Sequence, residues 1–236
     1  MRKTNHALRA EETEPQEKSN GALWQPVIDL GTTTIKSAGG VICCVTVAGQ
    51  IEGHTLLQNT VKTTKYEHLL PLLTALEGGD EVDGVLLLLN TVGGDVEAGL
   101  AIAELVASMH KPTVSLVLGG GHSIGIPLAV ASKDTFIAAS ASMTAHPVRT
   151  SGTIIAAPQT TRYFEKLQES IVRFVVKNSH ITDEQFRALL FATEDMASDV
   201  GSVLYGEETV ACGLIDRVGG LHDALTLLKN RIAEKK

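Results

Sequence analysis

The sequence predicts an α/β fold in which parallel strands are joined by crossover helices. Short, wholly apolar runs such as residues 85–89 lie between turn signals, which is typical of strands buried on both faces of a parallel sheet. Segments with a helical spacing of apolar residues follow these runs, so strands and helices alternate along the chain. We therefore expect right-handed crossovers between neighbouring parallel strands.

The predicted elements follow this alternation from residue 41 onwards. In chain order they are a strand over 41–51, a helix around 69–76, a strand over 85–89, a helix from about 96 to 110, a strand over 113–118, a helix after the glycines of 119–125, and a strand near 135–138. Gly78 and Gly79 are typical of a helix end, and Pro112 lies beyond the next one. Cys43 and Cys44 are neighbours in a strand, so their side chains should point to opposite faces.

A long amphipathic helix over residues 160–178 interrupts this order. Its apolar residues recur at helical spacing, and a second helix should begin at Thr182, because Gln185 completes a capping box with it. The long helix could pack on its own domain or form a subunit contact, and the pattern allows both.

Length and composition fit one domain with a sizeable core, since 44% of the 236 residues are hydrophobic. We expect a flexible or disordered polar arm at 1–26, a single domain at 27–230 and a polar tail at 231–236. The net charge of −7 argues against nucleic acid as a main partner. Three cysteines fit a reduced, cytoplasmic chain, and the sequence predicts neither a signal peptide nor a membrane span.

Ser123 is the candidate nucleophile. It lies in the glycine cluster Gly-Gly-Gly-His-Ser-Ile-Gly at 119–125, between an apolar strand and an apolar helix. A sharp turn from strand to helix exposes one side chain and directs backbone N–H groups at the atom that it attacks. The structural alternative is a tight turn whose glycines only let backbones approach closely.

His146 is the candidate general base, because it stands where a predicted buried strand leaves the sheet. His122 adjoins Ser123, but neighbouring side chains diverge, so we interpret it as a filler of the turn. Gly93 and Gly94 follow one apolar strand as Gly119–Gly121 follow the next, so backbone amides from both could form an oxyanion hole. A phosphate cradle is a weaker interpretation, because the chain has no Gly-Lys-Ser/Thr sequence.

At these residues the sequence resembles the ClpP family of serine peptidases, and within it the translocation-enhancing (TepA-type) ClpP-like proteins of spore-forming bacteria. Five segments match family motifs in family order: residues 48–51, 90–99, 123–125, 143–147 and 208–216. The resemblance implies Ser123 as nucleophile, His146 as base, and the N–H groups of Gly94 and Ile124 as the oxyanion hole, with no metal or other cofactor.

The resemblance also implies the fold and the assembly. The fold would be the ClpP/crotonase-like ββα superhelix, with the helix at 160–178 as a protruding handle. Copies of the chain would form heptameric rings that stack around a closed chamber and cleave proteins or peptides. An ATP-driven AAA+ unfoldase as a further partner is left open.

The acid that would orient His146 is less clear from the motifs. Counting back from Glu208 without a gap leads to Gly201 where the family has an aspartate. Asp199 serves if this loop is two residues longer, and Asp195 is the alternative. Asn-Thr-Val-Gly-Gly at 90–94 also lacks the family's proline.

The same residues also allow three other functions. Gly121-His-Ser-Ile-Gly125 also fits the nucleophile elbow of an α/β-hydrolase esterase, whose acid and base would be Asp199 and His222. A crotonase-type enzyme would use the same amides to polarise an acyl-CoA thioester, with carboxylates as acid and base. A ClpP-like scaffold without activity is the third possibility.

Overall fold

The strands and helices alternate as the sequence predicts, in a computed structural model that describes residues 31–37, 39–150, 155–194 and 200–235. The strands are β1 (Thr32–Ser37), β2 (Gly40–Glu52), β3 (Thr63–Lys65), β4 (Gly84–Gly94), β5 (Thr113–Gly121), β6 (Asp134–Ile137), β7 (Ser142–Ala145), β8 (Ser202–Tyr205) and β9 (Arg217–Val218). The helices are α1 (Tyr66–Gly78), α2 (Val96–Ser108), α3 (Gly125–Val130), α4 (Ala157–Lys177), α5 (Asp183–Phe191), α6 (Gly206–Ala211) and α7 (Leu221–Lys235).

Parallel pairing dominates the sheet, which confirms the α/β fold class. The strands lie in the order β1-β2-β4-β5-β6-β9, with β3 beside β2. Every neighbouring pair in this path is parallel except β1 with β2. β7 pairs in parallel with the end of β5, through Gly120 and Ser142. It also pairs with β8, in the antiparallel direction. This arrangement brings the ends of β4, β5 and β7 to one region.

The sheet is buried on both faces, as the continuous apolar runs predict. Cys43 belongs to the larger core, on the face covered by α1 and α2, and Cys44 belongs to a smaller core under α7. Burial raises the pKa of the Cys43 thiol to about 11 and also raises that of Cys44. A thiolate is therefore scarce at either cysteine, and neither is suited to nucleophilic chemistry.

Two central strands extend beyond their predicted ends into the glycine segments. β4 continues from Leu89 to Gly94, and β5 continues from Leu118 to Gly121. The pairing between them shifts after Leu89, and Gly120 N–H within the shifted part donates to Asn90 Oδ1 over 3.0 Å. The side chain of Asn90 thus replaces a regular backbone partner and carries both strands past the irregularity.

Two features near the ends of the described residues were not part of the sequence prediction. The predicted tail at 231–236 is helical through Lys235, because Ile232 is only 2% exposed and Arg231 forms hydrogen bonds with the carboxylate of Asp134. β1 was not predicted at all. The predicted arm at 1–26 lies outside the described residues.

The helix predicted at 160–178 is present as α4 and is buried only towards its end, where Ile171 and Val175 reach the core. The capping box predicted at the start of the next helix is also confirmed, since Thr182 and Gln185 satisfy each other's backbone N–H groups. No helix in the described part of the chain combines the length and apolar character needed to cross a membrane.

Candidate active site

Ser123 occupies a strained turn between β5 and α3. Its φ is 57°, in the left-handed region that a residue with a side chain seldom adopts. Such a conformation costs about 1–3 kcal/mol and persists only where the surroundings impose it. Here Ser123 N–H donates to Thr144 O over 2.8 Å, and Ser123 O accepts from Ile126 N–H over 3.0 Å. The turn that the glycine cluster predicts is therefore built, with the serine at its apex.

The absence of a side chain at Gly93 leaves space for the side chain of Ser123. A Cβ atom on Gly93 would lie 2.7 Å from Ser123 Cβ and 2.8 Å from His122 O, both closer than side chains approach. Gly93 and Gly94 also have φ values of 89° and 153°. Both the positive φ and the close approach require glycine here.

Thr91, which was not predicted to take part in the site, holds this glycine pair in place. Its hydroxyl donates to Gly49 O over 2.6 Å and accepts from Gly93 N–H over 3.1 Å. Its carbonyl accepts from His122 N–H over 3.1 Å. Thr91 is 1% exposed, so these bonds are shielded from water. It thereby links the two glycine segments that flank the candidate site.

One cavity of about 140 Å³ brings four of the predicted site residues together: Gly94, Ser123, Ile124 and His146. The rest of its lining is mostly apolar, and consists of Val96, Ile126, Pro147, Val148, Arg149, Ile171, Phe186 and Leu190. No carboxylate among the described residues lines it. A mostly apolar cavity with a few convergent polar groups is the usual form of a small active site.

His146 directly follows β7 and has one ring nitrogen engaged. Nδ1 lies 2.8 Å from Pro147 O, and since a carbonyl only accepts, Nδ1 carries the proton and donates. In the neutral ring Nε2 then holds the lone pair that a general base needs. Among the described residues the side-chain hydrogen bond of His146 is to Pro147 O and not to Ser123, and contacts between catalytic side chains often form only when substrate binds.

Gly201 lies next to His146, at the position where gap-free counting leads. β7 and β8 pair Ala145 with Ser202, so His146 and Gly201 are the next residues outward. Gly201 has a φ of 137°, and a Cβ atom there would come within 2.3 Å of Ala145 O and 2.9 Å of His146 Cβ. No side chain fits at this position. Asp199 and Asp195, the acids proposed from the sequence, lie outside the described residues.

Neither His222 nor His122 lines the cavity beside Ser123. His222 lines a separate surface cavity with Phe136 and Arg217, so it does not join Ser123 as an esterase triad would require. His122 is half-buried, its Nδ1 lies 2.8 Å from Thr144 Oγ1, and burial lowers its pKa. Among the described residues no group of three or more histidine, cysteine or acidic side chains could hold a metal ion.

Comparisons with known proteins agree with one another. The family model for Clp protease matches residues 39–221. The translocation-enhancing protein TepA of Halalkalibacterium halodurans is 50% identical over 222 residues, which cover 94% of this chain and 87% of that protein. A solved structure of a ClpP1 mutant from Listeria monocytogenes superposes with a TM-score of 0.60 at 19% identity, over 77% of this chain and 94% of that one.

Proposed function

This chain belongs to the Clp protease family, and from that premise we propose that it is a serine endopeptidase acting through an acyl-enzyme. The observation that carries the proposal is that Ser123, His146 and the two predicted oxyanion residues line one cavity. The crotonase alternative has less support, because it needs carboxylates and the described lining contains none.

In the proposed reaction the Ser123 oxygen attacks the carbonyl carbon of a peptide bond while His146 Nε2 takes the hydroxyl proton. The N–H groups of Gly94 and Ile124 receive the oxyanion. The carbon–nitrogen bond then breaks, and His146 returns the proton to the departing amine. Water attacks the resulting ester with His146 again as base, which releases the acid product and restores Ser123.

Asp199 is proposed as the acid that orients His146, with Asp195 as the alternative. The carboxylate would accept from Nδ1 in place of, or together with, the Pro147 carbonyl. It would also stabilise the imidazolium that forms when Ser123 attacks, which a carbonyl does less well because it carries no full charge.

The lining of the cavity supports a preference in the substrate. Ile126, Ile171, Phe186 and Leu190 present apolar surface beside Ser123. A substrate with an apolar side chain next to the cleaved bond would bury it there, whereas a charged side chain would lose hydration without a partner. We therefore expect faster cleavage after apolar residues than after acidic ones.

We further propose that the active form is a homo-oligomer of stacked rings and acts on unfolded or small proteins. Exposed apolar side chains on and beside α4 support a subunit contact, since Ile155 is 82% and Tyr163 48% exposed. The name of the relative from Halalkalibacterium halodurans refers to translocation, and a translocation-enhancing role is proposed for this chain on that ground alone. The cytoplasm is the proposed location, because three cysteines without a disulfide framework fit a reducing compartment.

Labelling with a fluorophosphonate probe tests the proposal, because the probe reacts only with an activated serine. We expect labelling of the wild type and none in Ser123→Ala or His146→Ala, on a particle whose size is that of a ring. Labelling that persists in Ser123→Ala would reject Ser123 as the nucleophile. Cleavage of casein and of short peptides by the same variants then shows whether the activated serine is a peptidase.

A scaffold without peptidase activity is the second candidate. It is favoured by the absence of a side chain at Gly201 and by the bond from His146 Nδ1 to a carbonyl instead of a carboxylate. An intact ring that the probe does not label, and that cleaves neither casein nor peptides, would support this candidate.

A further inference from the structure

We propose that His122 and Thr144 act as a positioning pair that sets the distance between the Ser123 hydroxyl and the His146 imidazole. Their side chains meet directly, with His122 Nδ1 and Thr144 Oγ1 2.8 Å apart. The inference rests on the proposed function, because a fixed distance matters only if Ser123 and His146 exchange a proton.

The pair lies immediately beside the two residues whose spacing it would control. His122 precedes Ser123 in the turn after β5, and Thr144 lies in β7 two residues before His146, which directly follows that strand. Side chains alternate along a strand, so residues two apart point to the same face. The contact between His122 and Thr144 therefore joins the turn after β5 to β7. These are the same two segments that must bring Ser123 and His146 together.

Thr144 contacts the turn twice. Besides its hydroxyl contact with His122, its carbonyl accepts from Ser123 N–H over 2.8 Å. The remaining described hydrogen bonds of this turn that involve His122 use its backbone, with donation to Thr91 O and acceptance from Gly125 N–H. Any residue except proline at position 122 would keep the backbone bonds, so the side-chain contact is the part that the choice of histidine adds.

The imidazole of His122 is also confined by packing. A Cβ atom on Gly120 would lie 2.5 Å from His122 Nε2, so the ring lies against bare backbone that only glycine provides. Burial lowers the pKa of His122, which keeps the ring neutral near pH 7. A neutral, confined ring whose Nδ1 is already engaged is suited to hold a position and not to accept the proton of Ser123.

Four variants separate this role from a general effect on folding. Thr144→Val and His122→Phe keep approximate shape and remove the polar contact, whereas Thr144→Ser and His122→Asn retain a group that can form it. The measurements are the second-order rate constant of fluorophosphonate labelling and the kcat and KM of peptide cleavage, at a temperature where circular dichroism shows every variant folded.

We expect Thr144→Val and His122→Phe each to slow labelling by about 10- to 100-fold, as small misplacements of reacting groups do. The loss should fall on kcat with KM little changed, and the double variant should be no slower than the slower single variant, because both remove the same contact. Thr144→Ser and His122→Asn should recover most of the rate.

Wild-type rates in folded Thr144→Val and His122→Phe, or losses that multiply in the double variant, would overturn the positioning role. If His122→Phe does not fold, the comparison of Thr144→Val with Thr144→Ser decides the question. Ser123→Ala separates the two proposals: labelling that survives in it, or a wild type that is not labelled, rejects the proposed function and this inference with it. Loss in Ser123→Ala with full rates in the pair variants rejects this inference alone.

Discussion

Replacing Thr91 with valine removes one hydroxyl and keeps the shape of the side chain. That hydroxyl connects β2 to the end of β4, since it donates to Gly49 O and accepts from Gly93 N–H. The next peptide along the chain joins Gly93 to Gly94 and carries one proposed oxyanion donor, the Gly94 N–H. The substitution therefore tests whether the glycine pair needs a side-chain anchor to keep its shape.

The expected loss of stability follows from the two bonds. A buried donor or acceptor left without a partner costs about 1–3 kcal/mol. Gly93 N–H is bound in a buried contact, so the full cost applies there, whereas Gly49 is half-buried and water can replace part of its bond. We expect the free energy of unfolding to fall by about 2–4 kcal/mol for the two together.

The expected loss of reactivity is separate from the loss of stability. Without its anchor the peptide before Gly94 gains freedom, and the Gly94 N–H no longer points at a fixed place. Complete loss of one oxyanion donor lowers the reaction rate by about 100- to 1000-fold. Partial misplacement of the donor should therefore slow labelling by about 10- to 100-fold.

Urea denaturation and the rate constant of fluorophosphonate labelling measure the two effects. Thr91→Ser is the matched control, because it keeps the hydroxyl and loses only the methyl group that packs near Gly125. Wild-type stability and a wild-type labelling rate in Thr91→Val would refute the anchoring role of the hydroxyl. Equal impairment of Thr91→Ser and Thr91→Val would also refute it, since the methyl group would then be the important part.

Two further predictions concern the acid position and the docking of the last helix. Gly201→Asp should destabilise the protein by about 2 kcal/mol or more and should not increase peptidase activity, because a Cβ atom there collides with Ala145 O; a faster variant would contradict this. Burial alone would raise the pKa of Asp134, but bonds and charges from Arg231 and a second arginine lower it on balance. The ionised Asp134 carboxylate then stabilises the folded protein above the unfolded-state pKa of about 3.9, and this stabilisation is lost as the pH falls through the lower folded-state pKa. Asp134→Asn should cost about 1–3 kcal/mol in urea denaturation at neutral pH and less at about pH 3, whereas an equal cost at both would refute the assignment.

The sequence predicted the central sheet well because burial on both faces leaves a simple pattern. The run at 85–89 contains only apolar residues, and Cys43 and Cys44 pack into different cores, as strand alternation requires. β1 left no such pattern. Four of its six residues are exposed. It is held by backbone hydrogen bonds with β2, which leave no pattern of apolar residues in the sequence.

The glycine segments show a second limit. Glycines after an apolar run are typical of a strand end, yet β4 and β5 continue through them, because Asn90 and Thr91 supply side-chain partners where regular pairing shifts. Asn90 binds the N–H of Gly120, 30 residues away, and Thr91 binds Gly49 O, 42 residues away, as well as the nearby N–H of Gly93. Only the three-dimensional structure reveals that a polar residue beside a glycine pair is its anchor.

The position of Gly201 limits where a carboxylate that orients His146 can lie. Gap-free counting from Glu208 leads to Gly201 where the family has its aspartate, and the pairing of β7 with β8 places Gly201 beside His146. That place is closed to any substituent by Ala145 O and His146 Cβ. A carboxylate that orients His146 therefore cannot come from position 201, and it would share the Nδ1 proton with Pro147 O or replace that carbonyl as its acceptor. Such competition predicts that removing the acid costs less here than the full loss of a triad member, by the extent to which the carbonyl still fixes the tautomer.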